Sequence, residues 1–168
     1  MNGMSDKVGS GRDLICVLDQ QFTRIHADSC LFIETVPPKL LYRQPRLSAT
    51  LPVYSCGEYV LRSAGKVEQT FGGITANLWD DPFEWTLPET LPHAKDIIAY
   101  LNEADAMRGR GFAVLNTDAD LSKEIVVPAG DSQTLLRLIV DTLRCAAHYQ
   151  GRAFATLRFL CDAKLPRV

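Results

Sequence analysis

The sequence predicts an all-α chain: a four-helix bundle with a long connection between its second and third helices. Three observations predict it. Apolar residues recur near the 3.6-residue helical period in four long segments. Strand-like alternation is almost absent, "EIVVPA" being the one short stretch that reads as a strand. The segment 79–92, "WDDPFEWTLPETLP", holds three prolines and both tryptophans, so it is no tight helical hairpin, and a connection of that length can cross the end of a bundle.

Residues 1–10, "MNGMSDKVGS", are polar and glycine-bearing and read as a disordered tail; they lack the apolar stretch of a signal peptide. The first helix runs from Asp13 to about Glu34 on a stripe of Leu14, Val17, Leu18, Phe22, Ile25 and Ile33. Pro37-Pro38 stops it, because proline disfavours helical geometry in the residue before it. "PPKLLY" allows one short turn, and residues 43–54 read as a loop. Ser55 or Cys56 opens the second helix, which carries Tyr59, Val60, Ser63, Val67, Phe71 and Ile74 and is weakened near its end by Gly72-Gly73. The third helix spans about His93 to Leu115, with Ile97, Ile98, Leu101, Ala104, Met107 and Phe112 apolar. A loop with a short turn at Asp118–Leu121 follows. Asp131 or Ser132 is the expected cap of the fourth helix, whose free N–H groups need an acceptor. That helix runs to about Cys161.

Length and composition narrow the function. The 168 residues suit a single domain, here residues 11–168, and a hydrophobic content of 46% is enough to build its core. A net charge of -2 carries no electrostatic footprint for nucleic acid, and no basic block or long apolar run points to a membrane. The five cysteines, Cys16, Cys30, Cys56, Cys145 and Cys161, are irregularly spaced and odd in number. They read as reduced thiols of a cytoplasmic protein, mostly packed as small hydrophobes.

The chemistry concentrates in "RCAAHYQGR", residues 144–152, deep in the fourth helix. Cys145 and Tyr149 are four apart and share its inward face, with His148 toward the edge of the stripe. Gly151 removes a side chain where a neighbouring element is expected to approach.

Three segments carry a resemblance. "SAGKVEQTF" (63–71) is similar to the pattern H-[IV]-x-x-x-E-x-[WF]-[WF], with Glu68 and Phe71 matching. Residues 83–121 look like a characteristic connection and third helix ending in a "LSDADL"-like turn. "CAAHYQGR" (145–152) is similar to H-E-x-H-H-R-G-Q. Together, over residues 13–161, they resemble the DinB-like (DinB/YfiT) four-helix bundles. The resemblance implies a homodimer. It also implies a three-histidine site for a divalent metal such as nickel or zinc, which some members use in transfer or isomerisation reactions with low-molecular-weight thiols. The positions equivalent to the metal ligands are Ser63, Cys145 and Tyr149, and none is histidine. A degenerate member is therefore expected, without the metal or another cofactor, that binds a small molecule between its helices.

Other readings stay open. Ser63, Cys145 and Tyr149 fit a repacked core in which the Tyr149 hydroxyl meets Ser63. His26 and Cys30, four apart on the first helix, together with Cys145 and His148 are a ligand set for tetrahedral zinc if those faces meet. Cys145 with His148 is a metal-free nucleophilic pair. Either of the last two would make an S-transferase- or isomerase-like enzyme. A dimeric stress-response interaction protein is a further alternative. Trp79, Phe83 and Trp85 either cover one end of the core or line a pocket mouth. Lys66 and Glu68 read as surface residues, and Arg108, Arg110 and Arg152 as separate cations that only the fold can bring together.

Overall fold

The computed structural model describes residues 11–45, 53–162 and 164–166. The expected 1–10 tail and the middle of the 43–54 loop lie outside them. The chain is mostly helical: α1 spans Asp13–Thr35, α2 Cys56–Ala76, α3 Ala94–Ala113 and α4 Leu135–Leu160. Short 3-10 turns occupy Pro38–Leu40, Pro82–Glu84 and Asp118–Ser122. The strands β1 (Glu124–Val126) and β2 (Ser132–Thr134) pair antiparallel, Ile125 opposite Gln133. α2 packs along α3 and α4, and α1 also lies against α3 and α4, while α1 and α2 barely meet. No described helix is long and apolar enough to cross a membrane.

Local chemistry sets the helix ends. Ser55 and Glu58 form a reciprocal capping box at α2, the Ser55 hydroxyl accepting from Glu58 N and Glu58 accepting from Ser55 N. Asn77 closes the same helix in the left-handed region, φ 53°, and Leu78 N then donates back to Gly72 O. α1 has no cap of its own at Arg12. Its first amides are taken by a remote residue: Leu14 N and Ile15 N donate to the Asp118 carboxylate, each at 3.0 Å. A carboxylate there also meets the positive end of the helix dipole. Asp118→Ala is expected to cost about 1–2 kcal/mol. Amide exchange at the start of α1 should accelerate about tenfold, with Asp118→Asn restoring most of the protection. Unchanged exchange there would show that this contact does not hold α1.

Four expectations need correction. Thr134, not Asp131 or Ser132, caps α4, its hydroxyl accepting from Arg137 N, because Ser132–Thr134 are drawn into the ladder with β1. That polar strand has no apolar alternation to announce it. On α1 the buried stripe runs through Ile15, Leu18, Phe22 and Ser29; Leu14 and Val17 lie on the outer side, 41% and 52% exposed. On α4 the innermost positions are Thr142, Ala146, Gln150 and Ala153, so Cys145 and Tyr149 sit one step around the helix and are half-buried. Gly151 is exposed, and a Cβ added there would meet nothing within 4 Å.

The buried residues form two clusters. One gathers Phe32, Ile33, Tyr59, Val60, Ile97, Leu101, Phe154 and Leu157; the other gathers Ile15, Leu18, Phe22, Phe71, Phe112, Leu121 and Ile139. At the centre of the second, Phe71 packs edge-on to Phe22 (centroids 5.4 Å apart) and tilted against Phe112 (5.0 Å). Polar bonds tie the helices together in between. Ser63 Oγ donates to Ala146 O at 2.9 Å, Thr70 and Thr142 share a hydroxyl bond at 2.8 Å, and Gln150 Nε2 donates to Ile25 O and Ser29 Oγ. Each satisfies a buried polar group that would otherwise be costly.

Candidate functional site

The one-step rotation of α4 decides where the chemistry lies. Ser63 faces a cavity of about 30 Å³, room for little more than one water, lined also by His26, Ser29, Asp105 and Arg108. Cys145 and Tyr149 instead line a separate cleft of about 260 Å³ between α2, the connection and α4. The three positions equivalent to the family's ligands therefore do not share one cavity. The expected bond between Tyr149 and Ser63 is replaced by the bond from Ser63 to the Ala146 carbonyl, and the Tyr149 ring lies near-parallel to Tyr59, centroids 6.4 Å apart.

His148 is exposed and Cys30 half-buried; neither lines the small cavity or the cleft, and His26 faces the cavity alone. The Cys30 sulfur lies 3.8 Å from His26 Nε2. Burial first, then Glu34 and Asp105, raises its pKa, so the thiol stays protonated near neutral pH and is a poor nucleophile. Cys56 is buried, its thiol donating to the carbonyls of Leu40 and Leu41 and pushed up to about 11 by burial. All five cysteines are free. Among the described residues no three His, Cys, Asp or Glu side chains are grouped to hold a metal ion. His26 and Cys30 on α1 do not converge with Cys145 and His148 on α4.

The arginines singled out in the sequence go to separate places. Arg108 is buried and pairs with Asp19 and with Asp105, the latter at 2.8 Å. Arg152 lies over the Tyr59 ring at 4.8 Å, and Arg110 is exposed. Glu68 is no plain surface residue, since it accepts from the buried Tyr100 hydroxyl, whose pKa is raised by burial and by that carboxylate. Of the two tryptophans, Trp79 covers Gly73, where a Cβ would lie 2.4 Å from the indole ring, and its Nε1 donates to Asn77 Oδ1. Trp85 is 45% exposed and lines two shallow surface clefts beside the connection. Neither tryptophan lines the cleft of Cys145; Phe83 does.

That cleft is built around a residue the sequence reading passed over, Arg62. Its Cζ lies 3.7 Å from the centroid of the Tyr54 ring and 4.3 Å from that of Phe83. Both rings pack against the guanidinium, a cation–π arrangement. Arg62 Nε is the buried side-chain nitrogen or oxygen that finds no hydrogen-bond partner among the described residues. Such a donor costs about 1–3 kcal/mol when left unmet, more when charged. Lys66, one turn along α2, donates to Gln69 Oε1 at 3.0 Å, and Gln69 Nε2 donates to Trp79 O, pinning the connection to the helix. Asp81, the acid in the lining, accepts from Phe83 N. Neither Arg62 nor Lys66 pairs with a described carboxylate. One signal could have exposed Arg62: it is the lone charge in the run Tyr59–Gly65, "YVLRSAG". Its aromatic partners lie 8 residues before and 21 after it, beyond any helical spacing. The chain matches no protein-family model and no curated protein.

Proposed function

We propose that this chain is a DinB-like four-helix bundle in which the three-histidine metal site has been replaced, and that it binds a small molecule in the cleft between α2, the connection and α4. The observation that carries the reading is the cleft itself. It brings together Cys145, Tyr149 and an arginine packed against two aromatic rings. The order of the motifs, the four long helices and the long second connection support the family. On the same resemblance the protein is a homodimer, and its odd number of irregularly spaced cysteines fits a cytoplasmic protein. A second reading has its own support: Cys145 is the one cysteine lining the cleft, whose lining also includes Arg62 and Lys66, and a thiol-dependent transferase needs an accessible thiol.

Metal content tests whether the metal site has been replaced. Elemental analysis of protein purified without chelator, then incubated with zinc and nickel, is expected to find no near-stoichiometric metal. Near-stoichiometric metal that disappears in Cys145→Ala would overturn the replaced-site reading and put a metal-dependent enzyme first.

A further inference from the structure

We infer that the cleft is selective for a small organic acid, its carboxylate received by the edge of the Arg62 guanidinium and by Lys66. The inference rests on the cleft being a ligand site, as proposed above, and adds the ligand's chemistry. Arg62 lines the cleft with its guanidinium packed against Tyr54 and Phe83, and a guanidinium is the side chain best matched to a planar carboxylate. Arg62 pairs with no described carboxylate, and its Nε, buried in the wall, has no partner among the described residues, so the charge is left for a ligand to meet at the terminal nitrogens. Lys66 adds a second positive charge that, among the described residues, donates to the neutral amide of Gln69 and pairs with no carboxylate. Against two cations stands one acid, Asp81, so the lining leaves a surplus of about one positive charge, the complement of a monocarboxylate. Phe83 and Tyr149 offer aromatic surface for an apolar body, and about 260 Å³ limits that body to a small one.

The test uses matched probes: benzoate and phenylacetate against their primary amides, with inorganic phosphate as competitor, followed by ligand-observed NMR at low salt on the full chain. Both acids are expected to bind saturably and at least about tenfold more tightly than their amides. Phosphate should displace them poorly. The preference for acid should vanish in Arg62→Gln and fall several-fold in Lys66→Gln, a milder change at a half-buried position that keeps the aromatic stack. Alkylation of Cys145 should block binding. If acid and amide bind equally and Cys145 alkylation blocks both, the cleft remains a small-molecule site and the inference fails alone. If phosphate displaces benzoate at equal concentration, the site reads a bare oxyanion and the organic-acid assignment is wrong. If neither acid nor amide binds, or Cys145 alkylation leaves binding untouched, the inference and the cleft reading fall together.

Discussion

Phe71→Ala is expected to lower the stability of the fold by about 3–5 kcal/mol, the range for emptying a well-packed aromatic site. Phe71 is fully buried, with Phe22 edge-on to one side and Phe112 tilted on another. The space left cannot collapse without moving α1 and α3 as well as α2, because its lining comes from all three. Removing the ring also forfeits two aromatic pairs, each worth about 0.5–1.5 kcal/mol beyond area burial. Urea denaturation should show the midpoint falling with little change in slope. A loss below about 1 kcal/mol would mean that these helices do not close around Phe71 as described.

Gly111→Ala should also destabilise, although alanine favours a helix interior over glycine by about 1 kcal/mol. A Cβ on Gly111 would lie 2.2 Å from Phe71 Cδ1, with two further ring atoms at 3.1 and 3.2 Å. The ring cannot swing away, since it is wedged between Phe22 and Phe112. Overpacking of this kind typically costs about 1–3 kcal/mol. The decisive measurement is the double variant. With Phe71 already alanine, the added methyl enters the vacated space and the helix preference returns, so Gly111→Ala should then stabilise by about 1 kcal/mol. A substitution that destabilises equally in both backgrounds would show that the obstacle is not the Phe71 ring.

Much of the local structure was legible because its causes are local. The Ser55–Glu58 capping box, the proline stop after Thr35 and the proline-rich connection each depend on residues a few positions apart. So the order of all four helices, and the near-exact start of the first three, follow from spacing and punctuation. Where a long-range partner competes, the local reading fails. Ser132 looked like a helix cap until β1 claimed it as a strand residue. Gly111 passed unnoticed and Gly151 looked structural, because only packing tells a glycine pressed against a ring from one facing solvent.

The candidate site divides along the same line. Cys145 and Tyr149 were legible as a pair on one helix, since positions four apart must share a face. Which face they share was not. Thr142 and Gln150 turn inward because their side chains bond Thr70, and Ile25 O with Ser29, on facing helices, and between them the small Ala146 lets its carbonyl accept from Ser63. That seam rotates Cys145 and Tyr149 out to the cleft and parts them from Ser63. Sequence periodicity determines an apolar stripe to within about one position, and one position on a helix is roughly 100° of rotation. The sequence by itself therefore determined that this is a four-helix, mostly α protein with thiol and phenol together on its last helix. Only the tertiary structure decided that they face Arg62. Tyr54 and Phe83 reach that arginine from opposite ends of α2, and no spacing rule connects residues brought together by the folding of a connection over a helix.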